Sequence, residues 1–173
     1  MARQGNVPCT VLSSSLGSGK TTILNHILKS NPCKRIAVIE NKSGKVGINS
    51  AIVQSSFVFQ VEEDVLEVPC LKRIKKRSVV ECTPVDHIVI EATGFAELAA
   101  LVQTFFADEF VAGMCFLDGI LTLVDTKWLE QQLNDDRDHV VENEAEKQLA
   151  YADVILLNKA DFMDREALAQ IQM

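Results

Sequence analysis

Six short apolar runs punctuate the chain: Val7-Pro-Cys-Thr-Val-Leu, Arg35-Ile-Ala-Val-Ile-Glu, Phe57-Val-Phe-Gln-Val, His87-Ile-Val-Ile-Glu, Ile120-Leu-Thr-Leu-Val-Asp and Val154-Ile-Leu-Leu-Asn. They are rich in β-branched residues and apolar on both faces, as strands of a parallel sheet covered on both sides should be. The third is expected at a sheet edge. Between most of them the apolar spacing turns helical, at 21–30, 96–106, 127–133 and 142–152. Strands alternating with helices predict a parallel α/β sheet with right-handed crossovers. Ligands of such sheets lie at the carboxyl ends of the strands. That rule draws attention to the 14–21 loop, Asn41, Glu91, Asp125 and Asn158.

The 14–21 loop reads Ser-Ser-Leu-Gly-Ser-Gly-Lys-Thr and runs from the first strand into the first helix. This is a phosphate-binding loop except that Ser14 stands where the first glycine belongs. Successive N–H groups must converge on phosphate oxygens, so side chains at Gly17 or Gly19 would obstruct them. Lys20 places a positive charge at the β/γ-phosphates, and the Thr21 hydroxyl is a Mg²⁺ ligand. Ser18 and Thr22 complete the cradle, and the helix that starts there adds its positive end. Should position 14 require a positive φ, serine would cost about a kcal/mol over glycine.

Two more motifs fall at strand ends. Asn158-Lys-Ala-Asp161 follows the last strand, about 140 residues beyond the phosphate loop. The Asp161 carboxylate can accept two hydrogen bonds from guanine, whereas adenine would leave it unpaired. The stem of Lys159 can cover the base face, while Asn158 can bond the base edge and brace the loop. Glu91-Ala-Thr-Gly94 closes the fourth strand and offers a carboxylate to Mg²⁺.

Bulk properties narrow the function. The 173 residues suit one domain, 47% of them are hydrophobic, and the net charge of −7 argues against nucleic acid as a general partner. No run approaches the roughly 18 apolar residues of a membrane span, and the start lacks the apolar core of a secretory signal. A cytosolic protein without a membrane partner is expected. Five scattered cysteines at 9, 33, 70, 82 and 115 include no Cys-x-x-Cys pair. Cys9 and Cys115 read as small buried hydrophobes. His26, His87 and His139 read as core or surface residues. Lys72-Arg-Ile-Lys-Lys-Arg reads as a solvated helix face, and the acidic stretch 130–146 as solvated surface.

With these motifs the chain resembles the CobW-like P-loop GTPases, from about Val7 onward. The resemblance rests on Leu16-Gly-Ser-Gly-Lys-Thr-Thr, Asp86-His-Ile-Val-Ile-Glu-Ala-Thr-Gly-Phe-Ala-Glu, Leu117-Asp-Gly-Ile-Leu-Thr-Leu-Val-Asp and Ala152-Asp-Val-Ile-Leu-Leu-Asn-Lys-Ala-Asp. It implies a three-layer P-loop NTPase sandwich, an N-terminal GTPase domain over 1–173, and a further strand and smaller domain beyond it. It also implies GTP as substrate, Mg²⁺ as cofactor, Lys20 and Glu91 as catalytic residues, and zinc transfer to a metalloprotein client.

Two departures touch functional positions. After Asp64-Val-Leu-Glu-Val the family has Cys-x-Cys-Cys, but here only Cys70 follows. A single thiolate does not complete a tetrahedral zinc site, which takes three or four ligands. At Asn41-Lys-Ser-Gly-Lys-Val-Gly, Lys42 and Lys45 replace the family's two glutamates and reverse the local charge. The alternatives to a metallochaperone GTPase are a nucleotide-binding paralogue without hydrolysis and a P-loop small-molecule kinase.

Overall fold

A computed structural model describes residues 6–14, 17–41, 57–61, 68–80, 84–92, 94–133 and 143–163, with 166 and 168. Of residues 41, 57–61, 68–70, 77, 79, 80 and 130, only the backbone is described. The elements are β1 (Val7–Ser14), α1 (Lys20–Ser30), β2 (Ile36–Asn41), β3 (Phe57–Val61), α2 (Val68–Val80), β4 (His87–Ala92), α3 (Phe95–Ala107), α4 (Glu109–Met114), β5 (Cys115–Asp125), α5 (Leu129–Leu133), α6 (Glu144–Ala150) and β6 (Val154–Asn158). A 3₁₀ turn follows at Ala160–Phe162.

All strand pairings are parallel, in the order β3-β2-β4-β1-β5-β6. The third run is an edge strand, as expected. β1 lies between β4 and β5, so its carboxyl end is flanked by those of both neighbours. Alternation along the strands divides the core in two. Cys9, Val11, Ala37, Ile39, Ile88 and Ile90 pack with Leu71 and Ile74 of α2, Leu98 and Leu101 of α3, and Val111 of α4. Leu12, Val38 and Val89 turn the other way, onto Leu24 and Leu28 of α1. Helices thus lie on both faces, giving the expected three layers. Each fully buried leucine contributes about 1.5–3 kcal/mol relative to an exposed one.

Several boundaries differ from the sequence reading. β5 begins at Cys115, five residues before Ile120. The pair Asp118-Gly119 resembles a turn signal. It is instead absorbed as an irregularity, where the β5 partner of Cys9 is Leu117 and that of Thr10 is Gly119. α4 was not foreseen. Its start is set by the Asp108 carboxylate, which accepts the Val111 N–H at 3.0 Å. α6 is shorter than 142–152 because Asn143 caps it, accepting from Ala145 N–H and Glu146 N–H. α2 bears out the solvated basic face: Leu71 and Ile74 are buried while Lys72, Arg73, Lys75 and Lys76 are exposed.

The last strand is not covered as its apolar sequence predicts. Val154 is 50% and Ile155 47% exposed. Among the described residues β6 pairs with β5 alone, without a second neighbour of the kind that shields β1. Cys9 and Cys115 are buried hydrophobes, and burial pushes the Cys115 thiol up to about 11. Cys33 and His26 are exposed, whereas half-buried His87 shares a 2.8 Å hydrogen bond with the Thr10 hydroxyl. His139, Cys82, Lys42, Lys45 and most of 130–146 lie outside the described residues or side chains.

Candidate functional site

The carboxyl end of the sheet gathers the phosphate loop, Glu91, Asp125 and the 158–161 loop. β1 ends in Ser13 and Ser14, both fully buried. The chain then reverses through Gly17 at φ +82° and Gly19 at φ +102° before α1 starts at Lys20. Both glycines occupy left-handed backbone, which costs other residues roughly 1–2 kcal/mol. Among the described residues a Cβ on Gly17 would meet nothing within 4 Å, but one on Gly19 would overlap the Asn158 amide nitrogen. Among the described residues no side chain caps α1. Its first-turn dipole therefore faces the loop without an acidic side chain to offset it.

Ser14 does not need positive φ. It is the last residue of an extended strand, and Lys159 is the one non-glycine residue with positive φ among those described. The expected penalty therefore does not arise, because the turn falls on Gly17 and Gly19. Instead the Ser14 hydroxyl becomes a hub. It accepts from the Ser18 hydroxyl at 2.7 Å and from the Lys20 ammonium at 2.8 Å, matching its two lone pairs. Lys20 also donates to the Ser14 carbonyl at 3.2 Å.

Lys20 lies 3.9 Å from Glu91, and both are nearly buried. Burial lowers the Lys20 ammonium below its ordinary value, against the upward pull of Glu91 and Glu97. Burial likewise raises the Glu91 carboxyl, opposed by Lys20 and reinforced by Glu40 and Glu97. At that separation the pair does not offset the desolvation of either member. Thr21 is half-buried and Thr22 exposed in the first turn of α1. Gly94 opens α3 in extended backbone, at φ −145°.

The 158–161 loop grips the phosphate loop. Asn158 donates its amide to the Ser18 carbonyl at 2.7 Å. The Lys159 ammonium donates to the Gly17 carbonyl at 3.0 Å and to the Asp125 carboxylate at 2.6 Å. Thr126 secures the strand end, its N–H and hydroxyl both donating to the Asn158 carbonyl, at 3.1 and 3.0 Å. Asp161 stands exposed in the 3₁₀ turn. The bracing role read for Asn158 is therefore present. Lys159, whose stem is the part read as covering a base face, turns its ammonium to Gly17 and Asp125. The Ser14 hub and the Asp125 contact were not legible, although Asp125 ends a strand in register with Asn158.

Metal donors divide by type. Thr21 and Glu91 offer oxygen donors, the set a hard divalent cation takes. Cys70 lies in the first turn of α2 with its side chain outside the description. Among the described residues no group of three or more His, Cys, Asp or Glu could hold a metal ion, and no helix is long and apolar enough to cross a membrane.

Comparison with known proteins follows the same lines. The profile of the CobW/HypB/UreG nucleotide-binding domain matches residues 8–173. The zinc chaperone CobW of Pseudomonas aeruginosa is 32% identical, over 99% of this chain and 54% of its own. The zinc-regulated GTPase metalloprotein activator 1 of Schizosaccharomyces pombe is 32% identical over 96% of this chain and 42% of its own. The crystal structure of the Zn(II)-bound YjiA GTPase from Escherichia coli aligns with a TM-score of 0.74 at 30% identity, over 96% of this chain and 53% of that one. The chain spans about half the length of these relatives.

Proposed function

The chain belongs to the CobW/HypB/UreG nucleotide-binding family, and from that premise we propose that it binds and hydrolyses GTP in the service of zinc delivery to a metalloprotein client in the cytoplasm. Residues 1–173 act as its nucleotide-binding domain. One observation carries the reading: Asn158 and Lys159 hold the Ser18 and Gly17 carbonyls. The loop with guanine-reading chemistry and the loop with phosphate-binding chemistry are one assembly.

In this reading Asp161 accepts the N1–H and exocyclic amine of guanine and rejects adenine by the unpaired carboxylate it would leave. The N–H groups around Gly17, Ser18 and Gly19 receive phosphate oxygens, with Thr22 in the adjoining turn. Lys20 exchanges its Ser14 partners for the β/γ-phosphates, where its charge counters what builds up as the terminal phosphoryl leaves. Thr21 and Glu91 would hold Mg²⁺, which supplies further neutralisation of the phosphates when bound. Zinc enters as cargo. The names of the relatives support that role, and Cys70 is the thiol this chain offers at the family's cysteine motif.

Calorimetric titration with GTP and ATP in the presence of Mg²⁺, followed by phosphate-release assays with and without Zn²⁺, tests the proposal. GTP should bind at least tenfold tighter than ATP and be turned over. Equal affinities would remove the role of Asp161, and tight binding without turnover would remove hydrolysis.

A further inference from the structure

Asp125 is a charge buried to 4% exposure at the end of β5, and guanine or phosphate chemistry as set out above does not use it. One carboxylate oxygen accepts the Lys127 N–H at 3.2 Å, fixing the turn after the strand. The other takes the Lys159 ammonium at 2.6 Å. Lys159 is itself in left-handed backbone at φ +60°, an arrangement that persists only where surrounding contacts hold it. Through that ammonium the carboxylate is linked to the Gly17 carbonyl at 3.0 Å.

The consequence follows from peptide geometry. In a trans peptide the C=O and the next N–H point in opposite directions. Holding the Gly17 carbonyl toward Lys159 therefore turns the Ser18 N–H away from the 158–161 loop. Asn158 does the same for the Gly19 N–H by holding the Ser18 carbonyl. Two successive N–H groups of the phosphate cradle are thus aimed from behind. The aim of the first depends on an ammonium that Asp125 keeps in place.

We propose that Asp125 is a positioning residue that, acting through Lys159, orients the Ser18 N–H of the phosphate cradle, so that the 158–161 loop and the cradle are set together by one ion pair with a buried carboxylate. The proposal rests on the nucleotide-site reading above but not on guanine preference, and the probes separate the two. Inorganic pyrophosphate has no base, and its place in the cradle is that of the nucleotide phosphates.

The experiment is a titration of the wild type, Asp125→Asn, Lys159→Met and the double variant with pyrophosphate and GTP, and of the wild type also with ATP, each protein with a thermal melt. Loss of the charge-assisted contact should weaken pyrophosphate binding about tenfold in each single variant. The double variant should be no more than about twofold weaker than either, because both changes break one link. Wild-type pyrophosphate affinity in a folded Asp125→Asn protein would overturn the proposal, as would additive losses in the double variant. If Asp125→Asn does not fold, Lys159→Met decides alone: its side chain is 35% exposed, and intact pyrophosphate binding there overturns the proposal equally. A wild type that binds pyrophosphate but prefers GTP no more than ATP defeats the guanine reading only. A wild type that binds neither probe defeats both.

Discussion

The Lys20 ammonium donates to the Ser14 hydroxyl at 2.8 Å, so the residue in the first glycine position is a partner of the lysine proposed to bind phosphate. Ser14→Ala keeps the strand but removes that acceptor from a buried charge. Stability without nucleotide should fall by about 1.5–3 kcal/mol, the range for hydrogen bonds to charged groups. Saturating GTP should recover more stability in this variant than in the wild type, because the phosphates replace the lost partner. Melts with and without GTP check this, and identical melting of the two unliganded proteins would refute it. Lys20→Ala should abolish GTP binding in a titration, and unchanged affinity would sink the assignment.

The two loop glycines are predicted to differ. Gly17→Ala meets no described neighbour within 4 Å, so its expected cost is that of the left-handed backbone, about 1–2 kcal/mol. Gly19→Ala adds overlap with the Asn158 amide and displaces that group from the Ser18 carbonyl. It should cost more stability and also lose GTP affinity. Urea unfolding of both variants gives the ranking, and a Gly19→Ala protein as stable as Gly17→Ala would contradict it.

His87 predicts a pH dependence. Burial holds its pKa below the ordinary 6.5, with Lys34 adding to the effect and Asp118 opposing it. As pH falls through 6.5 the unfolded chain takes up the proton first. Stability should therefore drop from 6.5 down to the lowered folded value and then level off. His87→Gln should flatten that portion of the curve. Denaturation midpoints across the range measure it, and a slope that survives the substitution would assign it to other groups.

Position in the sheet should outweigh residue type. Leu12, on the central strand, is 1% exposed, while Val154, on the edge strand, is 50% exposed. Leu12→Ala should cost about 2–5 kcal/mol as a cavity in a packed core. Val154→Ala should stay within about 1 kcal/mol, as surface changes do. Equal losses would mean that β6 is covered.

Local patterning was enough to locate the sheet and the site. Each of the six apolar runs is a strand, because the alternation of buried runs with amphipathic segments is written in consecutive residues. Gly17, Gly19, Lys20 and Asn158 were legible for a similar reason: their chemistry needs particular residue types at particular spacings. Where local signals conflicted with packing, packing prevailed. Asp118-Gly119 became an irregularity within β5, and the apolar sequence of β6 did not make it a covered strand.

By itself, then, the sequence determined the α/β alternation, the phosphate loop and the loop at 158–161, since these depend on neighbours along the chain. Tertiary structure decided the partners of the charges. Lys20 and Ser14 lie six residues apart, but their contact requires the turn through Gly17 and Gly19. Lys159 meets Gly17 across 142 positions and Asp125 across 34, because β1, β5 and β6 lie side by side in the sheet. No spacing rule encodes those pairings. They follow from strand order, which is set by which apolar faces bury one another when the whole chain collapses.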